Sequence, residues 1–275
     1  MRCKFDTVAG IKTRYLHEGS GPTFLMVHGV GASGDMWFHN IDYCAEKFAV
    51  IAPDIVCHGF TAAVDFKGRT PQQAAVEHLN ALMDHVGAKK YSVVGSSYGA
   101  LLASLMYFTR PDRIDKLILV GSGSTFHPPE EQIKTLQGAR ANGSKAMENP
   151  TWEVCRQRLG NICYDPKTVV EEMLLPQMTS YAMPDRLPAY LATIEGMIKS
   201  VDSKEWRVYH RLDQIKANTL IITGREDIRS SWELTVAGHK KMPRAELKIY
   251  EKCGHLPMSE HADRFNRDVM EFLSR

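Results

Sequence analysis

Three residues, far apart in the chain, have the types and settings needed to turn a hydroxyl against a carbonyl carbon. Gly95-Ser96-Ser97-Tyr98-Gly99 reads G-x-S-x-G in the register that selects Ser97 over Ser96. The strand-like YSVV precedes it and the helix-like ALLASLMYF follows, which places Ser97 on a tight strand-to-helix turn with its hydroxyl lifted clear of the sheet. A serine hydroxyl is a weak nucleophile at neutral pH and needs an adjacent base. His255, in Cys253-Gly254-His255-Leu256-Pro257, falls in a loop between the last strand-like run and the last helical one. Asp227, in Gly224-Arg225-Glu226-Asp227, follows NTLIIT directly and is the acid that would orient the histidine; Glu226 is its competitor. The negative oxygen formed when a carbonyl is attacked must be met by preorganised donors. His28-Gly29-Val30-Gly31-Ala32-Ser33 follows the strand-like TFLMV, and its glycines let backbone N–H groups turn toward the serine. The predicted oxyanion hole is the N–H of Val30 with that of Tyr98.

Other chemistry is poorly supported. The glycine loop matches neither G-x-x-x-x-G-K-S/T nor G-x-G-x-x-G, so a phosphate cradle is not indicated. His28 reads as a structural hydrogen-bonding residue, and Cys57 and His58, after the run FAVIA, read as turn residues. With no H-E-x-x-H and no paired cysteines, neither a metal nor a cofactor is expected.

The elements that must hold these residues show as short apolar runs. TFLMV (23–27), FAVIA (48–52), YSVVG (91–95), KLILVG (116–121), NTLIITG (218–224) and ELKIY (246–250) read as buried strands. Between them Ala75, Leu79, Leu82 and Val86 recur at helical spacing, as do Phe265, Val269, Phe272 and Leu273 near the C-terminus. Strands separated by helices predict an α/β fold with a mostly parallel sheet covered on both faces. The alternation fails from Ser124 to Leu212, where helical segments are broken by Pro128, Pro129, Pro150, Pro166, Pro176, Pro184 and Pro188. This stretch is a predicted helical insertion, with residues 1–123 and 213–275 forming the core around it. Five of the 13 methionines fall in it, a composition suited to an adaptable apolar surface or to the insertion's own packing.

Charge and cysteine usage exclude several classes of partner. Against 34 Lys and Arg stand 32 Asp and Glu, so neither nucleic acid nor an anionic membrane has electrostatic support. Tyr91 to Thr109 carries no charge over a length that would suit a membrane span, yet its interior GSSYG marks a turn between two soluble elements. Six scattered cysteines read as reduced thiols, and the N-terminus has no apolar stretch of the secretory kind, so the cytoplasm is the expected compartment. A small molecule is the expected partner; a homo-oligomer stays open.

The elbow, the glycine loop, the acid and the histidine, in this order, resemble the α/β-hydrolase superfamily over nearly the whole chain. The resemblance implies the α/β-hydrolase fold, with the insertion as a helical cap over the active site. Gly254-His255-Leu256 followed by Glu260-His261-Ala262-Asp263-Arg264-Phe265-Asn266-Arg267 is similar to the meta-cleavage-product hydrolases, as are Tyr164-Asp165-Pro166 and Glu171-Glu172. Those enzymes break a carbon–carbon bond in vinylogous 1,5-diketones from aromatic degradation. The resemblance places Gln177 where that family usually offers an arginine for the substrate carboxylate, and Leu256 where it usually has tryptophan. Gln177, Met178 and Leu256 are the expected pocket residues. A neutral glutamine cannot pair with a carboxylate as arginine does, which points to an uncharged or differently shaped substrate. The oxyanion loop, with Ala32 and Ser33, looks like that of small esterases. Hydrolysis of a small ester or of an activated carbon–carbon bond is the leading expectation, with an acyl-enzyme and a gem-diol route both open. A ligand receptor with little turnover and a cofactor-free lyase or oxygenase are the alternatives on the same fold.

Overall fold

A computed structural model describes residues 1–275. Its centre is one eight-stranded sheet of order β1-β2-β4-β3-β5-β6-β7-β8. In chain order the strands are β1 (Arg2–Val8), β2 (Ile11–Glu18), β3 (Thr23–Val27), β4 (Ala49–Pro53), β5 (Tyr91–Ser96), β6 (Ile114–Val120), β7 (Asn218–Gly224) and β8 (Ala245–Tyr250). From β4 to β8 every neighbouring pair is parallel, and β2 is antiparallel to both its neighbours. All six apolar runs are strands, shifted at most by a residue or two at their ends. The hairpin of β1 and β2 was not foreseen: Lys4, Asp6 and Lys12 interrupt its apolar positions because much of this edge ribbon faces water, and Arg14 does so as a buried partner of Asp35 and Asp54. Ala9 (φ 48°) and Gly10 (φ 81°) close it in the left-handed turn that a tight hairpin needs.

Helices cover the sheet: α1 (Phe38–Ala45), α2 (Pro71–His85), α3 (Tyr98–Thr109), α9 (Trp232–His239), α10 (Pro257–Glu260) and α11 (Ala262–Ser274). Between β6 and β7 lie only helical elements, chiefly α4 (Gly123–Phe126), α5 (Pro129–Glu148), α6 (Trp152–Gly160), α7 (Glu171–Tyr181) and α8 (Arg186–Lys199). Pro129 opens α5 at its first position, where a missing N–H costs nothing. Pro176 behaves differently from the expected breaker, since α7 continues through it. The carbonyl it leaves unpaired belongs to exposed Glu172, where water can serve it. The charge-free stretch 91–109 divides into β5 and α3, and no helix is long and apolar enough to cross a membrane.

One buried cluster unites sheet and insertion: Leu101 and Ile118 belong to the same contiguous core as Leu159, Leu174 and Ile194. The insertion therefore shares its apolar burial with the sheet and does not stand on a core of its own.

Three buried histidines tie loops to this framework. His28 Nδ1 meets the Gly29 carbonyl at 2.7 Å while its Nε2 accepts the Ile55 N–H at 2.9 Å, joining the loops after β3 and β4. His78 Nε2 pairs with Thr13 Oγ1 at 2.8 Å, and His58 Nδ1 with the Val56 carbonyl at 2.9 Å. Burial lowers the basicity of all three, that of His58 and His78 to about 4 and that of His28 well below its ordinary value. An unfolded chain protonates such rings near pH ~6.5. Between there and about 4 the unfolded state binds more protons, so stability is complete above the upper limit and falls as pH drops through this window. The melting temperature is expected to be level above pH ~7 and to fall steeply below pH ~6, and His78→Gln is expected to flatten that fall. Calorimetry across this range checks it; a midpoint that rises on acidification would contradict the assignment.

Candidate active site

Because β3 to β8 run parallel, the loops that leave them gather at one sheet edge. The order also reverses at β3, with β4 on one side and β5 on the other, which opens a crevice between the loops after β3 and β5. Ser97 sits at that crevice, capping α3 with φ 55° and ψ −115°, a strained conformation for a residue with a side chain. The two glycines of the motif make the turn sterically feasible. A Cβ on Gly95 would stand 2.2 Å from the Gly99 carbonyl oxygen, and one on Gly99 would stand 2.2 Å from that of Val27. Strand, helix and the neighbouring β3 thus approach each other across hydrogen-only surfaces.

The loop after β3 closes on the serine from the other side. A Cβ on Gly29 would lie 3.2 Å from Ser97 Cβ and 3.8 Å from its Oγ, so only a glycine keeps that approach comfortable. Neither the Val30 N–H nor the Tyr98 N–H donates to any protein group. Tyr98 is the first residue of α3, where N–H groups lack helical partners and the helix dipole favours negative charge.

Beyond β7 and β8 the other two residues meet. His255 Nδ1 lies 2.8 Å from Asp227 Oδ2, and both side chains are buried. The other carboxylate oxygen, Oδ1, accepts N–H bonds from Arg229 at 2.7 Å and Ser230 at 3.1 Å, which fixes its orientation. Gly121, after β6, leaves room for the pair, since a Cβ there would stand 3.3 Å from Asp227 Oδ2. Glu226 is exposed and turns elsewhere, accepting the Cys253 N–H at 2.9 Å. The histidine loop is held on several sides. Glu260 Oε2 accepts from Gly254 and Tyr164, its Oε1 accepts from Leu256, and the His255 N–H donates to the Ile162 carbonyl at 2.7 Å. Glu260 was read in the sequence only as part of a family pattern; here it joins the histidine loop to the insertion.

Ser97 and His255 line one cavity between the sheet edge and the insertion, with Val30 on the same wall. Such an arrangement can take a proton from a serine hydroxyl, attack a carbonyl and receive the resulting oxyanion. Of the expected pocket residues, Gln177 and Leu256 line the cavity. Met178 does not: Met173, Gln177 and Ser180 share the inward face of α7, and the next residue after Gln177 is turned about 100° away from it. Cys57 and His58 are also absent from the wall, and Cys57, at φ 70°, has its Sγ beside Val64.

Two cations on the wall were missed. Arg158 of α6 and Arg229, two residues past Asp227, both face the cavity. A signal for Arg158 exists in the sequence, because Cys155, Arg158 and Leu159 fall on one helical face and a charge among apolar residues there has to be explained. The expectation of an uncharged or differently shaped substrate was drawn from Gln177, and the wall that carries Gln177 also carries these two guanidiniums.

A model of the alpha/beta hydrolase fold family matches residues 22–262. The 2-hydroxy-6-oxononadienedioate/2-hydroxy-6-oxononatrienedioate hydrolase of Paraburkholderia phymatum is 32% identical over 281 residues, covering 98% of this chain and 90% of its own. The 2-hydroxy-6-oxo-6-phenylhexa-2,4-dienoate hydrolase of Burkholderia cepacia is 31% identical, with 98% and 96% covered. Among solved structures, a mutant of the meta-cleavage product hydrolase CumD superposes with a TM-score of 0.83 at 26% identity, covering 98% of this chain and 97% of that one.

Proposed function

Since the chain belongs to the α/β hydrolase fold family and is a hydrolase, we propose that it cleaves the carbon–carbon bond beside a ketone in dienoates of the meta-cleavage type, with Ser97 as nucleophile. The observation that carries this reading is the joint presence of Ser97 and a carboxylate-bonded His255 on the wall of one covered cavity. Full-length similarity to hydrolases of that class supports the choice of bond. Residues 124–212 act as the cap and residues 1–123 with 213–275 as the core.

The dienol of such a substrate first becomes its keto tautomer, the proton passing from oxygen to the distal carbon. His255 takes the Ser97 proton as the serine Oγ bonds to the ketone carbon, and the Val30 and Tyr98 N–H groups receive the oxyanion. When the tetrahedral centre collapses, the carbon–carbon bond breaks. Its electron pair leaves as a dienolate stabilised by the new ketone, and protonated His255 supplies the proton that completes the first product. A water deprotonated by His255 then releases the acid from Ser97. Asp227 keeps the histidine proton on Nδ1, leaving Nε2 free to accept. The side-chain bond of His255 is to Asp227, and the reaction requires the Ser97 hydroxyl to come within hydrogen-bonding reach of Nε2 once the carbonyl is in place.

The test is turnover of 2-hydroxy-6-oxo-6-phenylhexa-2,4-dienoate, followed by loss of its visible absorbance, beside p-nitrophenyl butyrate. A kcat/KM for the dienoate of roughly 10⁴ M⁻¹s⁻¹ or more, above that for the ester, is expected. Fast ester cleavage with an inert dienoate would remove the carbon–carbon assignment.

A further inference from the structure

The loop that carries the Val30 N–H is fastened through its carbonyls. Ala32 donates its N–H to the Gly29 carbonyl at 3.2 Å, closing a turn with Val30 and Gly31 at its centre, and Gly31 takes the φ of 70° that a type II turn asks of its third residue. The Gly29 carbonyl and the Val30 N–H belong to one rigid peptide plane. Whatever fixes that carbonyl therefore fixes the direction of the N–H. His28 meets the same carbonyl through Nδ1 at 2.7 Å, which secures it from the side of the sheet.

The insertion secures it from the other side. Tyr181, the last residue of α7, donates its hydroxyl to the Gly31 carbonyl, and that carbonyl shares a peptide plane with the Ala32 N–H. A chain of hydrogen bonds thus runs from the Tyr181 hydroxyl through the Gly31–Ala32 and Gly29–Val30 peptides to the N–H that would meet the oxyanion. Bonds in such a chain polarise one another. The tyrosine is itself held, being 5% exposed with the Arg158 guanidinium over its ring, 5.3 Å from the centroid. Tyr190 of α8 rests on the same turn: a Cβ on Gly31 would stand 2.9 Å from its Cε2, and its hydroxyl donates to the Ala139 carbonyl of α5 at 2.5 Å. The insertion meets the loop at Gly31, where no side chain holds it off. Gly31 is buried, so without Tyr181 its carbonyl would lack a donor and the peptide would be drawn to turn toward another.

We propose that Tyr181 is a positioning residue for the reaction: by holding the Gly31 carbonyl it aims the Val30 N–H, so that the docked insertion completes the oxyanion hole as well as covering the cavity. The inference rests on the roles given above to Ser97 and Val30, and not on whether the bond cleaved is carbon–carbon or ester.

The experiment compares wild type with Tyr181→Phe, which keeps the ring beneath Arg158 and removes the hydroxyl alone. On the faster of the two substrates, dienoate or p-nitrophenyl butyrate, kcat is expected to fall roughly 10- to 30-fold with KM within about twofold, a part of what outright removal of an oxyanion donor would cost. A trifluoromethyl ketone, which Ser97 would convert to a bound hemiketal oxyanion, should lose inhibition by about the same factor as kcat/KM. Placing 4-aminophenylalanine at position 181, where its amino group can donate to the same carbonyl, should recover most of the loss. A kcat within about twofold of wild type, a loss confined to KM, or ketone inhibition that holds while kcat/KM falls would overturn the proposal. So would an amino-substituted variant no faster than Tyr181→Phe. Unchanged kinetics for Tyr181→Phe in an enzyme that Ser97→Ala inactivates would sink this inference alone. An inert dienoate beside a clear Tyr181 effect on the ester would sink the carbon–carbon reading alone.

Discussion

Ser97→Ala is expected to lower kcat by roughly 10⁴-fold or more while leaving the fold intact, because the nucleophile acts as a unit with its base and cannot be replaced piecemeal. Alanine keeps the Cβ, so the elbow at φ 55° is strained to the same degree and the melting temperature should hardly move. The cavity wall and its two guanidiniums are untouched, so substrate should still bind and its bound spectrum can be recorded without turnover. A phosphonate should label the wild-type serine and leave the variant unlabelled, which mass spectrometry of the peptide around residue 97 reads directly. A variant within 100-fold of wild type would remove Ser97 from the chemistry. Ser97→Gly adds an independent check on the geometry. It should abolish turnover equally yet raise stability by about 1 kcal/mol, since glycine occupies positive φ without strain.

The parts of the molecule legible in the sequence are those where one physical demand governs a run of residues. Strands buried on both faces become continuous apolar runs, and β3, β5 and β7 stand where those runs fall. The elbow is legible for a related reason. Two glycines are forced by backbone contacts of about 2 Å, so the motif is the direct imprint of three elements meeting. The hairpin of β1 and β2 lies under a weaker demand. It buries part of its surface only, and its apolar residues alternate with Lys4, Asp6, Lys12 and Arg14 over too short a span to stand out. Pro176 and Met178 show a second limit. Proline costs little where the carbonyl it abandons is exposed, and helical phase decides whether residue 177 or residue 178 faces inward; neither follows from residue type.

The cations of the cavity expose a third limit. Arg158 lies 71 residues before Arg229 in the chain, and nothing local links them; they share a wall because α5 lies beside both. The family resemblance implies a charge only at position 177, and this chain has a glutamine there. The cavity as a whole is not neutral. Its electrostatic character belongs to the assembled wall, while the reacting groups belong to strand ends and are readable one loop at a time.

That division is sharpest at the acid, where two neighbouring carboxylates compete for one role. Asp227→Asn is expected to lower kcat by about 10³ to 10⁴-fold, and Glu226→Gln by less than about threefold. In the native site Oδ1 of Asp227 accepts two backbone N–H bonds and Oδ2 faces His255 Nδ1. An asparagine must keep its oxygen toward those two N–H groups, since an amide nitrogen there would set donor against donor. Its NH2 then faces Nδ1, which becomes the acceptor, and the ring proton is forced onto Nε2. In that tautomer the histidine presents a donor to Ser97 and cannot remove its proton. The loss should come without a fall in melting temperature, because shape and backbone bonds survive. Glu226 differs in kind: its carboxylate accepts the Cys253 N–H, and a glutamine oxygen accepts the same bond. Activity within tenfold of wild type for Asp227→Asn, or an equal loss for Glu226→Gln, would reassign the acid. A folded, inactive Asp227→Asn beside a nearly normal Glu226→Gln would fix the role on the residue whose second oxygen the backbone has already claimed.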